Sequence, residues 1–470
     1  MKEHKKNNLI SATMVYTICN LFVSGLAVLT SPIFTRILST GDYGIYSLFN
    51  SWQNIFVCIT SLGLSYSIAL AKIDYKEQFK QFIASILLIS ILIPILLLIS
   101  SLVFGNSMWT RITELPSRVV TILFVNLIFY TVLDIASNKM SIQYEYKSYT
   151  IMAALRAVLS TGLSIILILV MSKSKYYGRI NGVVIVTAII GTFICIKYLK
   201  YLQWNRIIEH MKYALPIALP MIFHGLAMIL LGQIDRVMIA KYYTESETGL
   251  YSFGYTVGTM LAFFTNRSEE AIKPWLYDKY AGGFHEEIRI RLKSILNMLI
   301  FVVLLYILVM PEVIKLLSAK QYWNTQKMIV PIVVGTFCQY IYTNYCAVET
   351  INKKTRYIAA GSALAALLNF VLNLIFLEKF GYYVAAFTTF VGYYVLMLFH
   401  SVICRFICKR KDLNYFYNSI VCLVLFFAGC LISMFYEEVL IRYLIVCVLA
   451  GIFIWKYGRL FSKLIIDKFR

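Results

Sequence analysis

Runs of about 20 apolar residues recur along the whole chain, and only short polar stretches separate them. A helix needs about 20 such residues to cross a hydrocarbon core about 30 Å thick. Because backbone polar groups must be hydrogen-bonded within lipid, these runs predict an all-α polytopic membrane protein. The fourteen candidate spans are 9–35, 44–71, 82–104, 118–138, 149–171, 179–199, 213–234, 249–271, 294–317, 328–350, 357–377, 382–404, 414–435 and 440–457.

The composition excludes the main soluble classes of protein. With 60% hydrophobic and 14% charged residues, the chain has too little polar surface to cover a water-soluble fold. The ten cysteines lie in or beside apolar runs and form no C-x-x-C pair, so we expect them to pack as small apolar side chains. No P-loop, H-E-x-x-H or G-x-S-x-G pattern occurs, which argues against ATP hydrolysis by this chain.

The basic residues indicate the orientation of the spans. If the N-terminus is cytoplasmic, the inside segments hold 29 of the 44 Lys and Arg residues and the outside segments hold 13. Basic residues within three residues of a span end are counted with the adjoining segment, which leaves only Arg156 and Arg267 within spans. This bias follows the positive-inside rule and predicts that both termini are cytoplasmic. The net charge of +21 therefore reflects membrane topology, and we expect no nucleic-acid partner.

An internal repeat relates the two halves of the chain. The first span leads into SPIFTRILSTGDYGIYS and the seventh into GQIDRVMIAKYYTESETGLYS. Each segment has an arginine (Arg36, Arg236) followed by G-[IL]-Y-S at Gly44 and Gly249, and further echoes recur at offsets of about 200 to 207 residues. Six spans per interval predict parallel repeats. We expect two six-helix bundles around a central cavity (1–205 and 206–408), followed by two additional helices and a basic tail (409–470).

Several motifs resemble one transporter family. They are Pro32, Arg36, Leu38, Gly44 and Tyr46, then LPIALP with DRVMIA and TGLYSFG, then Pro274 to Tyr277, and Asn369-x-x-x-Asn373 with Gly381 and Ala385-Ala386. Together they resemble the polysaccharide biosynthesis (Wzx-type O-antigen and exopolysaccharide flippase) branch of the multidrug/oligosaccharidyl-lipid/polysaccharide (MOP) superfamily. One departure is LEKFG, where that family commonly has a proline before the glycine.

The resemblance implies a flippase rather than an enzyme. The expected substrate is an undecaprenyl-diphosphate-linked oligosaccharide repeat unit, moved across the bacterial inner membrane by alternating access for O-antigen, capsule or exopolysaccharide assembly. No cofactor is expected. The sequence leaves open whether an ion drives transport, and H⁺ and Na⁺ are the two candidates. The polymerase of the same pathway is a further expected partner. The basic stretches Arg405 to Lys411 and Lys456 to Arg470 are expected to bind anionic membrane lipids.

Arginines within or at the ends of spans are the first candidates for diphosphate binding, because guanidinium groups bind phosphate oxygens bidentately. Arg156 lies about two turns inside span five; its alternatives are snorkelling or pairing across helices with Asp134. Arg267 can instead pair with Glu270. Arg36 and Arg236 can be interfacial anchors instead. His224 lies in a span predicted to bend at Pro216 and Pro220. If it faces the cavity it could bind sugar hydroxyls or titrate with the driving ion; the alternative is a neutral, hydrogen-bonded histidine.

Buried carboxylates are the candidates for gating or ion coupling. Asp235, beside Arg236, suggests a latch or gate, and Asp134 and Glu349 suggest ion coupling. Five amides could line a sugar path, although polar residues also join helices: Gln53, Asn54, Asn126, Gln339 and Asn344.

Two other functional classes stay open. An ion-coupled drug or small-molecule exporter of the same superfamily would favour buried carboxylates over arginines. A polytopic enzyme of glycan assembly would need placed catalytic carboxylates, and no outside loop exceeds about 17 residues.

Overall fold

The computed structural model describes residues 22, 23, 25, 26 and 28–469, without the side chains of residue 271 and residues 459–469. All regular structure within this part of the chain is helical, which confirms the predicted all-α class. Most of the predicted first span, 9–35, lies outside the described residues.

The helices are α1 (28–37), α2 (Thr40–Thr60), α3 (Ile68–Asp74), α4 (Phe79–Val103), α5 (Ser107–Thr113), α6 (Ser117–Ile142), α7 (Tyr146–Val170), α8 (Tyr176–Leu199), α9 (Ile207–Tyr242), α10 (Glu245–Gly258), α11 (Ala262–Ala281), α12 (His285–Leu317), α13 (Ile329–Ile351), α14 (Arg356–Phe380), α15 (Val384–Val402), α16 (Tyr415–Met434) and α17 (Val439–Phe469).

Ten of the described helical segments are long and apolar enough to cross a membrane, or eleven if the bent pair α2–α3 forms one span. The protein is therefore a multi-pass membrane protein. Helix α13 does not meet this criterion. It carries several polar residues, and most of its length is buried inside the protein rather than facing lipid. The count of fourteen spans and their arrangement in two six-helix bundles stay predictions.

Two predicted spans are interrupted. Helix α2 ends at Thr60, and the chain then turns through Leu62 and Gly63, whose φ angles are 48° and 59°. Glycine adopts this left-handed conformation without steric cost, and α3 continues at an angle of 52° to α2. The eighth predicted span is divided likewise, because a 3₁₀ turn at Thr259–Leu261 separates α10 from α11.

The prolines of the seventh span do not end its helix. Helix α9 runs from Ile207 to Tyr242 with Pro216 and Pro220 inside it. Neighbouring helices allow prolines to be tolerated in membrane helices. His224 therefore lies within one long helix.

The described chain forms two compact units. Unit 1 contains the residues up to Gly249 and Leu317–Ala319, and unit 2 contains Leu250–Leu316 and the residues from Lys320 onward. In unit 1, α6 packs against α4 and α8, and α2 packs against α9. In unit 2, α13 is the central helix and packs mainly against α15. The domain boundaries inferred from the repeat stay predictions.

The repeated G-[IL]-Y-S segments have matching local structure. Ser39 caps α2 and its hydroxyl donates to Asp42 at 2.6 Å. Thr244, before α10, donates in the same way to Glu247 at 2.7 Å. Such capping boxes satisfy the free N–H groups at a helix start. The first turns of α2 and α10 contact each other, and a Cβ at Gly44 would overlap the carbonyl oxygen of Glu245. This contact therefore requires glycine at position 44.

Candidate functional site

Arg156 is half-buried on α7 and is held by an aromatic ring. Its guanidinium carbon lies 4.7 Å from the centre of the Tyr130 ring on α6. Asp134 is one turn further along α6, yet no carboxylate lies within 4.0 Å of the Arg156 guanidinium among the described residues. A cation–π contact thus replaces the ion pair that the sequence left open, and this contact uses the ring face rather than the N–H donors.

Arg179 is a second arginine of this kind, which the sequence interpretation missed. Its guanidinium carbon lies 3.7 Å from the centre of the Phe34 ring and 4.7 Å from that of Tyr46. Nη1 is buried and makes no hydrogen bond within the described part of the chain. The signal that could have identified Arg179 is its place in GRING, because two glycines four residues apart allow close helix packing. A Cβ at Gly182 would overlap Ser164 of α7.

Arg236 and Arg36 occupy the equivalent repeat positions that the sequence predicts, with different burial. Arg236 is 8% exposed and donates from Nη1 to the Gly232 carbonyl at 2.8 Å and to Gln233 Oε1 at 3.1 Å. Arg36 is exposed and donates to the Pro32 carbonyl at 3.1 Å, also four residues back. Both arginines therefore lie against their own helix backbone. Asp235 is fully buried beside Arg236.

Polar side chains connect α2 with its neighbours near Arg236. Ser51 Oγ donates to Gln233 Oε1 at 2.9 Å, so α2 shares the acceptor that Arg236 uses. Deeper along α2, Gln53 accepts from Asn126 Nδ2 of α6 at 2.6 Å. Two of the predicted sugar-path amides thus bind each other and join helices.

Asp134 lies within electrostatic range of Cys58 and Tyr66. A Cβ at Gly225 of α9 would lie 3.1 Å from Tyr66 Oη and 3.7 Å from Cys58 Sγ. His224, the preceding residue, is half-buried. Cys58 and Tyr66 therefore lie near Asp134 and also near the segment of α9 that carries His224.

Arg267 does not lie in a buried cluster. Its Nη1 pairs with Glu270 at 2.7 Å, three residues along α11, and both side chains are partly exposed. This is the pairing that the sequence left open as an alternative to substrate contact.

Glu349 is fully buried on α13 and meets His400 of α15. Glu349 Oε1 and His400 Nδ1 are 2.7 Å apart, and both side chains are 0% exposed. Glu349 Oε2 is buried without a hydrogen-bond partner among the described residues. Tyr342 stacks on the His400 ring at 5.6 Å, and Cys404 Sγ lies 3.9 Å from Glu349 Oε1. Glu349 and His400 therefore form a buried hydrogen bond between α13 and α15.

The Asn369-x-x-x-Asn373 motif joins α14 to α15. Thr388 Oγ1 donates to Asn373 Oδ1 at 2.6 Å, and Asn369 Nδ2 donates to Thr389 Oγ1 at 3.2 Å. All four side chains are buried. Interhelical polar bonds of this kind hold membrane helices together. The other predicted amides differ: Asn344 donates to the Tyr340 carbonyl at 3.2 Å, and Asn54 and Gln339 are half-buried.

Comparison with protein families identifies the chain. A family model described as "Polysaccharide biosynthesis protein" matches residues 9–280, more than half of the chain. The chain belongs to the polysaccharide biosynthesis protein family. An uncharacterized membrane protein of Haemophilus influenzae is 22% identical over 320 residues, which are 65% of this chain and 74% of the relative. Lsg locus putative protein 1 of the same organism is 20% identical over 57% of this chain and 65% of the relative.

Solved structures show the fold of this polysaccharide biosynthesis protein. The lipid II flippase MurJ, in an inward closed conformation, aligns with a TM-score of 0.70 over 95% of this chain and all of that chain, at 17% identity. An inward-facing multidrug resistance MATE transporter of the MOP superfamily aligns with a TM-score of 0.59 over 91% of this chain and 99% of that chain, at 15% identity. The chain therefore has a MOP-type fold.

The family's glycine after α14 keeps its role without the preceding proline. Helix α14 ends at Phe380, and Gly381 has a φ angle of 86°. A residue with a Cβ rarely adopts this conformation, so Gly381 alone accounts for the turn.

Proposed function

We propose that this polysaccharide biosynthesis protein is a flippase for an undecaprenyl-diphosphate-linked oligosaccharide. The repeat unit moves across the bacterial inner membrane by alternating access and is used for O-antigen, capsule or exopolysaccharide assembly. Family membership supports the polysaccharide role, and the MOP-type fold shared with a lipid II flippase supports transport of a lipid-linked sugar.

The observation that carries this proposal is the surroundings of two arginines in unit 1. Arg156 and Arg179 are held against aromatic rings, and neither has a carboxylate within 4.0 Å among the described residues. A cation in a membrane helix is costly without a partner. A diphosphate supplies that partner, because its oxygens match the guanidinium fork.

The two arginines lie at different depths along α7 and α8. Arg179 is level with Ser164, whose hydroxyl donates to the Arg179 carbonyl at 3.1 Å. Arg156 precedes Ser164 by eight residues on α7, a rise of about 12 Å. By the predicted orientation, Arg156 is nearer the cytoplasm and Arg179 nearer the outside. We infer that the diphosphate contacts Arg156 early and Arg179 late in translocation.

Flipping of a labelled lipid-linked oligosaccharide in proteoliposomes tests the proposal. The purified chain should expose the label to an enzyme or quencher added outside, and Arg156→Ala and Arg179→Ala should each slow this exposure. Arg111→Ala, an exposed arginine on α5, is the matched control and should leave the rate unchanged. If the wild-type chain moves no lipid-linked sugar while a known flippase does so in the same vesicles, the proposal fails.

We further propose that a proton drives this flipping and binds at Glu349 and His400. The pair is fully buried. Glu349 Oε2 makes no hydrogen bond among the described residues, so this is the oxygen to which we assign the proton. An imposed pH gradient should accelerate flipping by the wild-type chain, and Glu349→Gln should remove this response while substrate binding persists. Acceleration by a sodium gradient alone would contradict proton coupling.

An ion-coupled exporter of small organic cations is the second candidate. Asp134 favours it, because no basic side chain lies within 4.0 Å of this carboxylate among the described residues. In the same proteoliposomes, uptake of a fluorescent organic cation that Asp134→Asn abolishes, without any movement of lipid-linked sugar, would establish this candidate instead.

A further inference from the structure

Helices α7 and α8 pack against each other, with close backbone contacts at two glycines of α8. A Cβ at Gly178 would lie 2.8 Å from the Ile168 backbone, and one at Gly182 would overlap Ser164. Ser164 and Ile168 are the only buried residues among the described positions of α7. The N-terminal half of α7 therefore carries no fully buried side chain.

An apolar groove runs between the N-terminal half of α7 and the C-terminal half of α8. Its volume is about 530 Å³. The walls carry large apolar side chains that stay partly or mostly exposed, including Ile151, Leu155 and Leu159 of α7 with Ile189 and Phe193 of α8. In a membrane, exposed side chains of this kind contact hydrocarbon.

Polar groups lie at one end of this groove. Lys197 and Ser148 line that end, where Tyr198 also lies. Tyr198 is 4% exposed, and its hydroxyl is buried without a hydrogen-bond partner among the described residues. The ammonium groups of Lys139 and Lys197 lie 5.4 Å and 5.6 Å from the centre of its ring.

At this end of the groove, one of the two lysines has no carboxylate partner among the described residues. Lys139 pairs with Glu145 at 2.5 Å, so that pair is neutral overall. Lys197 is exposed and has no carboxylate within 4.0 Å among the residues that the structure describes. A donor hydroxyl and an uncompensated ammonium at the end of an apolar groove match a lipid phosphate above its acyl chain.

The length of the groove indicates which kind of lipid fits it. From Ser148 to Leu159 the helix rises about 16 Å, which is about half of a hydrocarbon core about 30 Å thick. The groove therefore extends over one leaflet, as an acyl chain of a phospholipid does. By the predicted orientation, this is the cytoplasmic leaflet.

We propose that the groove between α7 and α8 binds one anionic phospholipid, with its phosphate at Lys197 and Tyr198 and an acyl chain between the helices. This site is separate from the proposed diphosphate site and does not depend on the substrate of the transporter. A bound lipid here would fill a space that these two helices leave open.

Native mass spectrometry of the full chain tests the proposal. Protein released from bilayers of phosphatidylglycerol and phosphatidylethanolamine should retain one phosphatidylglycerol. Lys197→Ala should reduce this retention about fivefold, the effect of one basic residue near a membrane surface. Leu155→Trp, which fills the groove, should abolish it. Tyr198→Phe, which removes only the hydroxyl, should reduce it measurably without changing the shape of the groove.

Matched controls separate binding from folding. Lys212→Ala removes an exposed lysine of α9, and Leu169→Trp adds the same bulk at an exposed position of α7 outside the groove. Both should retain phosphatidylglycerol like the wild type. Equal retention of phosphatidylethanolamine by the wild type, or normal retention by Leu155→Trp, would overturn the proposal. So would displacement of phosphatidylglycerol by undecaprenyl phosphate in the wild type, because the groove would then bind a polyprenyl chain.

Discussion

The two compact units hold their intramembrane charges in different ways. In unit 1, Arg156 and Arg179 lie against aromatic rings without a carboxylate partner among the described residues. In unit 2, Glu349 meets His400, and Arg442 makes two hydrogen bonds to Glu312. Removing one member of a buried pair leaves the other polar group uncompensated, whereas removing a cation without a carboxylate partner leaves none. The loss of these side chains should therefore destabilise unit 2 more than unit 1.

The largest effect is expected at the buried pair of α13 and α15. Glu349→Ala leaves His400 enclosed without its partner, and breaking such a pair costs about 3–5 kcal/mol. The free energy of unfolding in detergent, followed by circular dichroism, should fall by about this amount, and Glu349→Gln should lose less because an amide still bonds to His400. A variant as stable as the wild type would show that the pair contributes little.

A somewhat smaller effect is expected where α17 meets α12. The Arg442 side chain is 1% exposed and donates to Glu312 at 2.6 and 2.8 Å and to the Leu308 carbonyl at 2.8 Å. Because Glu312 is only partly buried, we expect Arg442→Ala to cost about 3 kcal/mol, the lower end of that range. Hydrogen exchange of α17 should accelerate accordingly. The double variant with Glu312→Ala should recover part of the stability that Arg442→Ala loses. If the double variant instead loses the sum of the two single-variant losses, the two residues are not coupled.

Removing either arginine of unit 1 should slow transport and should change the free energy of unfolding much less than the loss of Glu349 does. A hydrogen bond to a charged group contributes about 1.5–3 kcal/mol, so Arg156→Ala and Arg179→Ala should each slow flipping about tenfold to a hundredfold. Their unfolding free energies should fall by no more than a cation–π contact contributes, about 0.5–2 kcal/mol, because no partner is left uncompensated. Loss of stability like that of Glu349→Ala would show that these arginines are structural, and the contrast between the units would disappear.

The smallest effect is expected from the ring that holds Arg156. Cation–π contacts contribute about 0.5–2 kcal/mol, so Tyr130→Leu should slow flipping about twofold to thirtyfold by releasing the guanidinium. Tyr130→Phe keeps the aromatic face and should flip at nearly the wild-type rate. If both variants lose the same activity, the phenol hydroxyl rather than the ring face supports the site.

Apolar run length predicted the helical membrane class, because it follows from the transfer of single residues into lipid. The charge bias predicted the orientation, which stays a prediction. The repeat likewise predicted equivalent helix starts at Gly44 and Gly249. Breaks within helices were harder to predict: Gly63 interrupts the second span, whereas Pro216 and Pro220 do not interrupt the seventh. Whether a helix continues through such a residue depends on its packing against neighbouring helices, which the local sequence does not show.

Partners of the candidate residues were the least predictable feature. His400 is 51 residues from Glu349 and on another helix, so no spacing rule connects them. Pairing with Asp134 was one alternative considered for Arg156, but the guanidinium lies over Tyr130, one turn earlier than Asp134 on α6. Arg179 was counted among the outside basic residues, because nothing in its segment shows that Phe34 and Tyr46 enclose it.

Binding of undecaprenyl lipids to the full chain in nanodiscs tests the role of the unit 1 arginines most directly. Affinities for undecaprenyl diphosphate and for uncharged undecaprenol are compared in the wild type and in the double variant Arg156→Gln, Arg179→Gln. We predict that the wild type prefers the diphosphate by at least about tenfold and that the double variant loses this preference while still binding both lipids. A wild type that does not distinguish the two lipids, or a double variant that keeps the full preference, would contradict diphosphate binding by Arg156 and Arg179.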